Sequence, residues 1–102
     1  MQRAAICSIM SEPAFSGTVV VANRQGLHVR SAAMIVKTAR QFNARVALVN
    51  GLHQVNANDV WEVLSLAAKQ GDKLRVEAGG PEARQALEAM QALFLRKFDE
   101  ED

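Results

Sequence analysis

The sequence of 102 residues predicts a single α+β domain in which a four-stranded antiparallel sheet carries three helices on one face. Short β-branched runs alternate with segments of helical periodicity, in the order β-α-β-β-α-β-α. The dipeptide Asn50-Gly51 is typical of a type I′ hairpin turn, and Lys73 to Ala78 alternates between charged and apolar residues. An apolar content of 49% is sufficient for one modest core.

Composition excludes several classes of protein. Twelve Lys and Arg against eleven Asp and Glu leave a formal charge of +1, so nothing favours nucleic acid as a partner. Cys7 is the single cysteine, which excludes an intrachain disulfide and a cysteine metal cluster and fits a reducing compartment. No apolar run approaches the roughly 18 residues of a membrane span. We therefore expect a cytoplasmic monomer that does not insert into membranes.

The first strand and its turn lead directly to a histidine. Residues 1–15 show no clear period and are expected to form a flexible extension. The β-branched run from Thr18 to Ala22 predicts a strand, and Asn23 to Gly26 is rich in turn-forming residues. His28 follows at once.

The first helix is expected to begin just after His28 and to end near Phe42. Its buried stripe recurs at helical spacing: Ala32, Ile35, Val36 and Ala39. His28 is then at the N-cap, where unpaired backbone N–H groups and the helix dipole favour an anion, and Arg30 adds a guanidinium. A nucleophilic nitrogen beside an anion site suggests phosphoryl transfer, although a histidine here is more often only a cap or a packing residue. Lys37 and Arg40 extend the positive charge of Arg30 along a face that is either solvated or a docking surface.

The central hairpin pairs Arg45 to Val49 with Leu52 to Val55 through Asn50-Gly51. His53 lies in the return strand and is expected to be an ordinary strand residue.

A second helix is expected from Asp59, a strong N-cap with Glu62 as its capping-box partner, to Gly71. Its apolar residues exceed one face. Val63, Leu66 and Ala67 are assigned to the core, whereas Trp61, Leu64 and Ala68 form a second stripe. Trp61 is therefore either a protein-binding anchor or a cover for the sheet edge.

The last strand and helix complete the core. Leu74, Val76 and Ala78 are expected to point inward from the strand. The helix is expected to start at Gly80-Pro81-Glu82, with a buried stripe of Ala83, Ala86, Leu87, Met90, Leu93 and Phe94. The acidic end from Asp99 to Asp102 is expected to be frayed.

The stretch Gly26-Leu27-His28-Val29-Arg30-Ser31-Ala32 resembles the signature Gly-(Leu/Ile/Met)-His-(Ala/Thr)-Arg-Pro-Ala of the HPr family, the histidine phosphocarriers of the bacterial phosphotransferase system. Asn56 to Asp59 and Leu64 to Asp72 resemble the family's second signature region. The resemblance covers about residues 16–98 and implies an HPr-like open-faced β-sandwich. It leaves 1–15 as the extension and 99–102 as an acidic tail.

This resemblance implies a stoichiometric carrier rather than an enzyme, without metal or cofactor. His28 would accept a phosphoryl group from enzyme I and pass it to an enzyme IIA-type acceptor, with Arg30 and the backbone of Val29, Arg30 and Ser31 holding the phosphate. The resemblance also implies a partner-binding surface made of Leu27, Met34, Lys37, Arg40, Val60, Trp61 and Leu64. Whether the carrier serves sugar uptake or the nitrogen-related branch stays open.

Two positions depart from the family pattern. Ser31 stands in place of proline, which restores an N–H and is expected to loosen the backbone after Arg30. Asp59 stands in place of the regulatory serine that HPr kinase phosphorylates in many members, so this position has no hydroxyl. Asp59 could imitate phosphoserine, but a carboxylate carries less charge and already serves as an N-cap.

Two other functions are kept as alternatives. The chain could be a regulatory protein that docks through the second helix, with phosphorylation of His28 as a switch. It could also be a small metal- or ligand-binding domain that uses His28 and His53, although two histidines without a third ligand make a poor site.

Overall fold

The computed structural model describes residues 14–100 and contains the predicted elements in the predicted order. The strands are β1 (Ala14–Val20), β2 (Arg45–Asn50), β3 (His53–Asn56) and β4 (Lys73–Gly79), and the helices are α1 (Val29–Ala39), α2 (Val60–Ser65) and α3 (Ala83–Leu95). All strand pairs are antiparallel, in the spatial order β1-β4-β2-β3. The α+β class is confirmed.

One core lies between the sheet and the helices. The strand residues Leu74, Val76 and Ala78 are buried in it, as their alternation predicts. The predicted core stripe of α3 is also confirmed, with all six residues buried: Ala83, Ala86, Leu87, Met90, Leu93 and Phe94. Both patterns arise from a local period, so the sequence alone predicts them.

The sheet face opposite the helices is less exposed to solvent than expected for a sheet that carries helices on one face only. Ala47 and Val49 point to this face of β2 and are nevertheless buried. Their cross-strand neighbours on β4 are Glu77 and Arg75, which form an ion pair with Nη2 and Oε2 2.8 Å apart. The stems of such long side chains cover small apolar neighbours while their charged ends stay in water.

The boundaries of the first strand and helix differ from prediction. β1 begins at Ala14 and ends at Val20, because its length is set by antiparallel pairing with β4. Ala14 and Phe15 therefore belong to the sheet, and the rest of the predicted extension lies outside the described residues. α1 ends at Ala39 rather than near Phe42.

The predicted hairpin is confirmed, but its turn is displaced by one residue. Asn50 pairs with His53, so the loop residues are Gly51 and Leu52. Gly51 has a φ of 63°, whereas Leu52 is outside the positive-φ region. A positive φ at only the first loop position is typical of a type II′ turn rather than the type I′ turn that Asn50-Gly51 suggested.

The second helix is much shorter than predicted. Asp59 does cap it, since Oδ1 accepts hydrogen bonds from the backbone N–H groups of Trp61 and Glu62 at 2.9 and 3.2 Å. The predicted capping box is wrong, because the Glu62 carboxylate accepts from Asn56 N at 2.8 Å instead. Ala67 adopts a left-handed φ of 52°, which places it in solvent and turns Ala68 into the core. The assignment of these two alanines to the opposite stripes was therefore wrong.

The chain beyond α3 folds back instead of fraying. Lys97, Phe98 and Asp99 all have positive φ, a conformation that costs about 1–2 kcal/mol for each residue with a side chain. Phe98 is fully buried and packs edge-on against Phe94, with ring centroids 4.8 Å apart. The expectation of a frayed end is wrong for Asp99 and Glu100, whereas residues 101–102 lie outside the described part.

Across residues 14–100, none of the helices combines the length and apolar character that crossing a membrane requires.

Candidate functional site

The loop before the predicted site histidine is anchored to the segment that follows α2. Leu27 N donates to Ala68 O at 3.1 Å, and Gly26 N donates to Asn23 O at 3.1 Å to close a turn. Gly26 has a φ of 70°, and a Cβ built on it would lie 2.6 Å from Ala68 O. A residue without a side chain is therefore required where this loop crosses the backbone.

His28 is the N-cap of α1, as its sequence position predicts. Its backbone is extended, and its carbonyl accepts the hydrogen bond of Ala32 N at 2.8 Å. The side chain is 30% exposed, so the imidazole is accessible from outside the domain. Part of the side chain thus meets solvent beside the positive end of a helix dipole.

Ser31 fastens the helix start rather than loosening it. Its side chain is fully buried, and its Oγ accepts from His28 N at 2.9 Å. The hydroxyl lies within donating distance of Gly26 O and His28 O, at 3.3 and 3.2 Å. In return, the His28 side chain faces the backbone N–H of Ser31, in the manner of a capping box. The expectation of a looser backbone is therefore wrong, because a buried hydroxyl joins the turn to the first turn of α1.

A carboxylate from the other end of the domain meets the histidine. Glu100 Oε2 lies 2.6 Å from His28 Nε2 and 3.8 Å from Arg30 Nη1. Asn23 Nδ2 donates to Glu100 Oε1 at 2.9 Å, and the Glu100 side chain is only 10% exposed. The sequence contains no local signal for this contact, since Glu100 lies 72 positions from His28 and was assigned to a frayed tail.

Asn23 is the second residue that sequence reasoning missed. The sequence predicts only a turn residue at this position. In the structure the side chain of Asn23 is completely buried, and its Nδ2 also donates to Gly26 O at 2.7 Å. Within residues 14–100, its Oδ1 has no hydrogen-bond partner. The turn therefore has a second role, because it orients a side-chain amide toward the carboxylate at His28.

The structure places the predicted phosphate-holding residues together. Val29, Arg30 and Ser31 are the first three residues of α1, so their backbone lies in the turn where helix N–H groups have no helical acceptor. Val29 and Arg30 are exposed. The guanidinium of Arg30 belongs to the same turn, with Nη1 3.8 Å from Oε2 of Glu100.

The predicted partner-binding residues are only partly on the surface. Trp61 is 78% exposed, and Lys37 and Arg40 are exposed as well. Met34, Val60 and Leu64 are half-buried against the core. Leu27 has only 9% exposure and belongs to the core, so it offers little surface.

Two further positions have plain structural surroundings. Asp59 is the exposed N-cap of α2, with its carboxylate already engaged by that helix. His53 is exposed in β3 and pairs with Asn50. In the part of the chain that the structure describes, no three potential metal-ligating side chains come together.

Comparisons with known proteins show which family this chain resembles. The family model described as "PTS HPr component phosphorylation site" matches residues 15–95. The phosphocarrier protein HPr of Treponema pallidum is 42% identical over 84 residues, which are 82% of this chain and 96% of that protein. A DhaM protein of Escherichia coli, the phosphoryl donor subunit of a PEP-dependent dihydroxyacetone kinase, is 38% identical over 92% of this chain, but over only 20% of its own length.

Solved structures of HPr proteins have the same fold as this chain. HPr-C-His from Thermoanaerobacter tengcongensis superposes with a TM-score of 0.82 at 32% identity, over 86% of this chain and 99% of that one. A phosphocarrier protein HPr from Bacillus anthracis has a TM-score of 0.75 at 31% identity, over 78% and 95% of the two chains. With one family signature, full-length relatives and the same open-faced sandwich, the chain belongs to the HPr family of phosphocarriers of the phosphotransferase system.

Proposed function

We propose that this chain carries a phosphoryl group on His28 between two proteins, from phosphorylated enzyme I to an enzyme IIA-type acceptor. The observation that carries the proposal is the position of the partly exposed imidazole at the N-terminus of α1, next to Arg30. A carrier needs a nucleophile that two partners can reach in turn, and an accessible ring at a helix start meets this need.

The site can hold phosphate without enclosing it. The N–H groups in the first turn of α1, which have no helical acceptor, and the guanidinium of Arg30 would bind the oxygens of a phosphoryl group on the ring. Because the site is open to solvent, the partner must complete the environment of the transition state. A group held only on one side remains easy to pass on, which suits a stoichiometric carrier rather than an enzyme with turnover of its own.

The partner would dock beside His28, on α1 and α2. The two helices are linked where Arg40 Nη2 donates to Asn58 O at 3.3 Å, and the segment after α2 is bonded to Leu27. We infer that the exposed ring of Trp61 belongs to the same docking surface as the histidine loop. Lys37 and Arg40 would give this surface a preference for acidic partners.

The regulatory-serine position supports no phosphorylation in this chain. Asp59 has no hydroxyl, and its carboxylate is the cap of α2. We propose that this protein works as a monomeric carrier outside control by HPr kinase at this position.

The test is phosphorylation with phosphoenolpyruvate and enzyme I, followed by intact mass at neutral pH and after mild acid. The wild-type chain should gain one acid-labile phosphoryl group. His28→Ala should gain none, and His53→Ala is the matched control because it removes the other histidine of the sequence, on an exposed strand. A chain that stays unmodified with its cognate enzyme I, or a phosphorylated His28→Ala, would disprove the carrier.

A regulatory role is the second candidate, and the exposure of Trp61 favours it. In this case the chain would bind an effector protein through α2, and phosphorylation of His28 would switch the complex. Trp61→Ala would then lose the effector and retain phosphoryl acceptance. Equal loss of both activities would favour the simple carrier, in which donor and acceptor share the surface.

A further inference from the structure

A serine in the first turn of α1 stands where the signature of the family has proline. Ser31 has a backbone N–H that proline lacks, and its side chain is fully buried beside His28. We propose that Ser31 is a phosphate-holding residue: its N–H gives the phosphorylated ring a hydrogen bond that proline could not give, and this bond sets how readily the phosphoryl group leaves. This inference rests on the proposed function of His28 as the phosphoryl acceptor.

Ser31 occupies a helix position that the side chain of an N-cap residue can reach. His28 is the N-cap of α1, so Val29, Arg30 and Ser31 are the positions N1, N2 and N3. An N-cap side chain meets the N–H groups of N2 and N3, which have no acceptor within the helix. In this chain the His28 side chain faces the N–H of Ser31. The oxygens of a phosphoryl group on the ring would therefore come within reach of the same N–H groups.

The hydroxyl of Ser31 holds the backbone in this arrangement. Its Oγ accepts from His28 N at 2.9 Å and lies 3.2 and 3.3 Å from His28 O and Gly26 O. These contacts use only the side chain of Ser31, so its N–H stays directed at the ring. The two polar groups of Ser31 thus have separate roles, because the hydroxyl joins the turn to the helix and the N–H faces the reacting side chain.

The N–H of Ser31 should contribute more after phosphorylation than before. An uncharged ring nitrogen accepts an ordinary hydrogen bond, whereas a phosphoryl oxygen is charged, and hydrogen bonds to charged groups are roughly twice as strong. The positive end of the helix dipole acts in the same direction. The N–H of Ser31 therefore favours the phosphorylated form over the free form. With proline at this position, only the N–H groups of Val29 and Arg30 would remain, and the phosphoryl group would leave more readily.

Exchange of the phosphoryl group between two chains measures this preference. Phosphorylated wild type is mixed with an equal amount of unphosphorylated Ser31→Pro and a trace of enzyme I, and intact mass gives the final distribution. Enzyme I takes the group from one His28 and passes it to the other, so one N–P bond breaks for each one that forms. We expect wild type to hold the group in about fivefold excess, the effect of replacing an ordinary hydrogen bond by a charge-assisted one. An equal distribution would overturn the proposal.

Ser31→Ala is the matched control, because it removes the hydroxyl and keeps the N–H. In the same exchange it should share the phosphoryl group almost equally with wild type. If Ser31→Ala loses the group as readily as Ser31→Pro, the hydroxyl is responsible and the assignment to the N–H is wrong. The final distribution is an equilibrium, so it does not depend on how fast either variant reacts with enzyme I. Proline fits the first turn of a helix, and amide spectra check that both variants keep the fold.

The amide proton of Ser31 provides a readout that does not depend on the proline variant. On phosphorylation of wild type and of Ser31→Ala, the NMR signal of this proton should move downfield and its exchange with solvent should slow. Ala33 is the internal control, since it lies beyond the first turn, where N–H groups have helical acceptors. An unchanged amide signal at residue 31 in the phosphorylated chain would overturn the proposal, even if Ser31→Pro failed to fold.

The failure of this proposal can be distinguished from the failure of the proposed function. Equal stability of the phosphorylated forms of wild type and Ser31→Pro would remove the role of Ser31 and leave His28 as a carrier. A wild-type chain that enzyme I does not modify would overturn the proposed function. In that case phosphoramidate, with ammonia as the leaving group, phosphorylates His28 chemically in a His53→Ala background. The Ser31 amide signal would then still report the hydrogen bond.

Discussion

His28 and Glu100 are 72 positions apart in sequence, yet Nε2 of one lies 2.6 Å from Oε2 of the other. The histidine begins α1, and the glutamate ends the described chain after a left-handed turn. Asn23, from the turn after β1, donates to the same carboxylate at 2.9 Å. Three distant segments of the chain thus meet at one ring.

The buried ring of Phe98 should fasten the turn that carries Glu100. Phe98→Ala removes a fully buried side chain packed on Phe94, so we expect a loss of about 3–5 kcal/mol in the free energy of unfolding. Urea denaturation measures this loss. Leu95→Ala is the control from the same segment, because its side chain is exposed and its removal should change stability by less than about 0.5 kcal/mol. Equal stability of both variants would show that the turn does not depend on Phe98.

Gly26 should be the least replaceable glycine of the described chain. Gly26→Ala combines a positive φ with a Cβ 2.6 Å from Ala68 O, whereas Gly51→Ala has a positive φ and open space. We expect about 1–2 kcal/mol of destabilisation for Gly51→Ala from the backbone alone, and a larger value for Gly26→Ala. Thermal unfolding of both variants measures the difference. A Gly26→Ala protein as stable as Gly51→Ala would mean that the crossing at Ala68 adjusts without strain.

Asp59 should contribute stability through its cap. Asp59→Ala removes the acceptor for the N–H groups of Trp61 and Glu62, and we expect a loss of about 0.5–2 kcal/mol in chemical denaturation. Asp59→Asn keeps a capping oxygen without the charge and should be close to wild type. Phosphoryl acceptance at His28 should be unchanged in Asp59→Asn. If that variant differs from wild type in acceptance, the charge at this position has a role beyond the cap.

Trp61 should matter for binding and little for folding. Its side chain is 78% exposed, so Trp61→Ala should change the free energy of unfolding by less than about 0.5 kcal/mol. If the ring is a docking anchor, affinity for enzyme I should fall by about 2 kcal/mol, measured by calorimetry. Leu52→Ala is the control, since Leu52 is fully exposed at the tip of the β2–β3 hairpin and should leave affinity unchanged. Equal affinity of both variants would place the docking surface elsewhere.

The sequence by itself determined the features that depend on local rules. Alternation in β4, the helical stripe of α3 and the Asp59 cap each follow from a short period or a side chain bonding to its nearest backbone, and all are present in the structure. The same holds for His28 at the start of α1. The resemblance in the sequence to the HPr signature also indicated the family to which the chain belongs.

Only the tertiary structure decided the features that depend on distant contacts. Pairing with β4 set the ends of β1, and a left-handed Ala67 ended α2 early. Ser31 is buried and its hydroxyl bonds to the backbone of His28. Asn23 and Glu100 reach the site because folding brings distant segments of the chain together. No local sequence period predicts the contact between Asn23, His28 and Glu100. This contact depends on the burial of Phe98, whose favourable free energy offsets the cost of the left-handed turn. That burial is possible only when the whole core has formed.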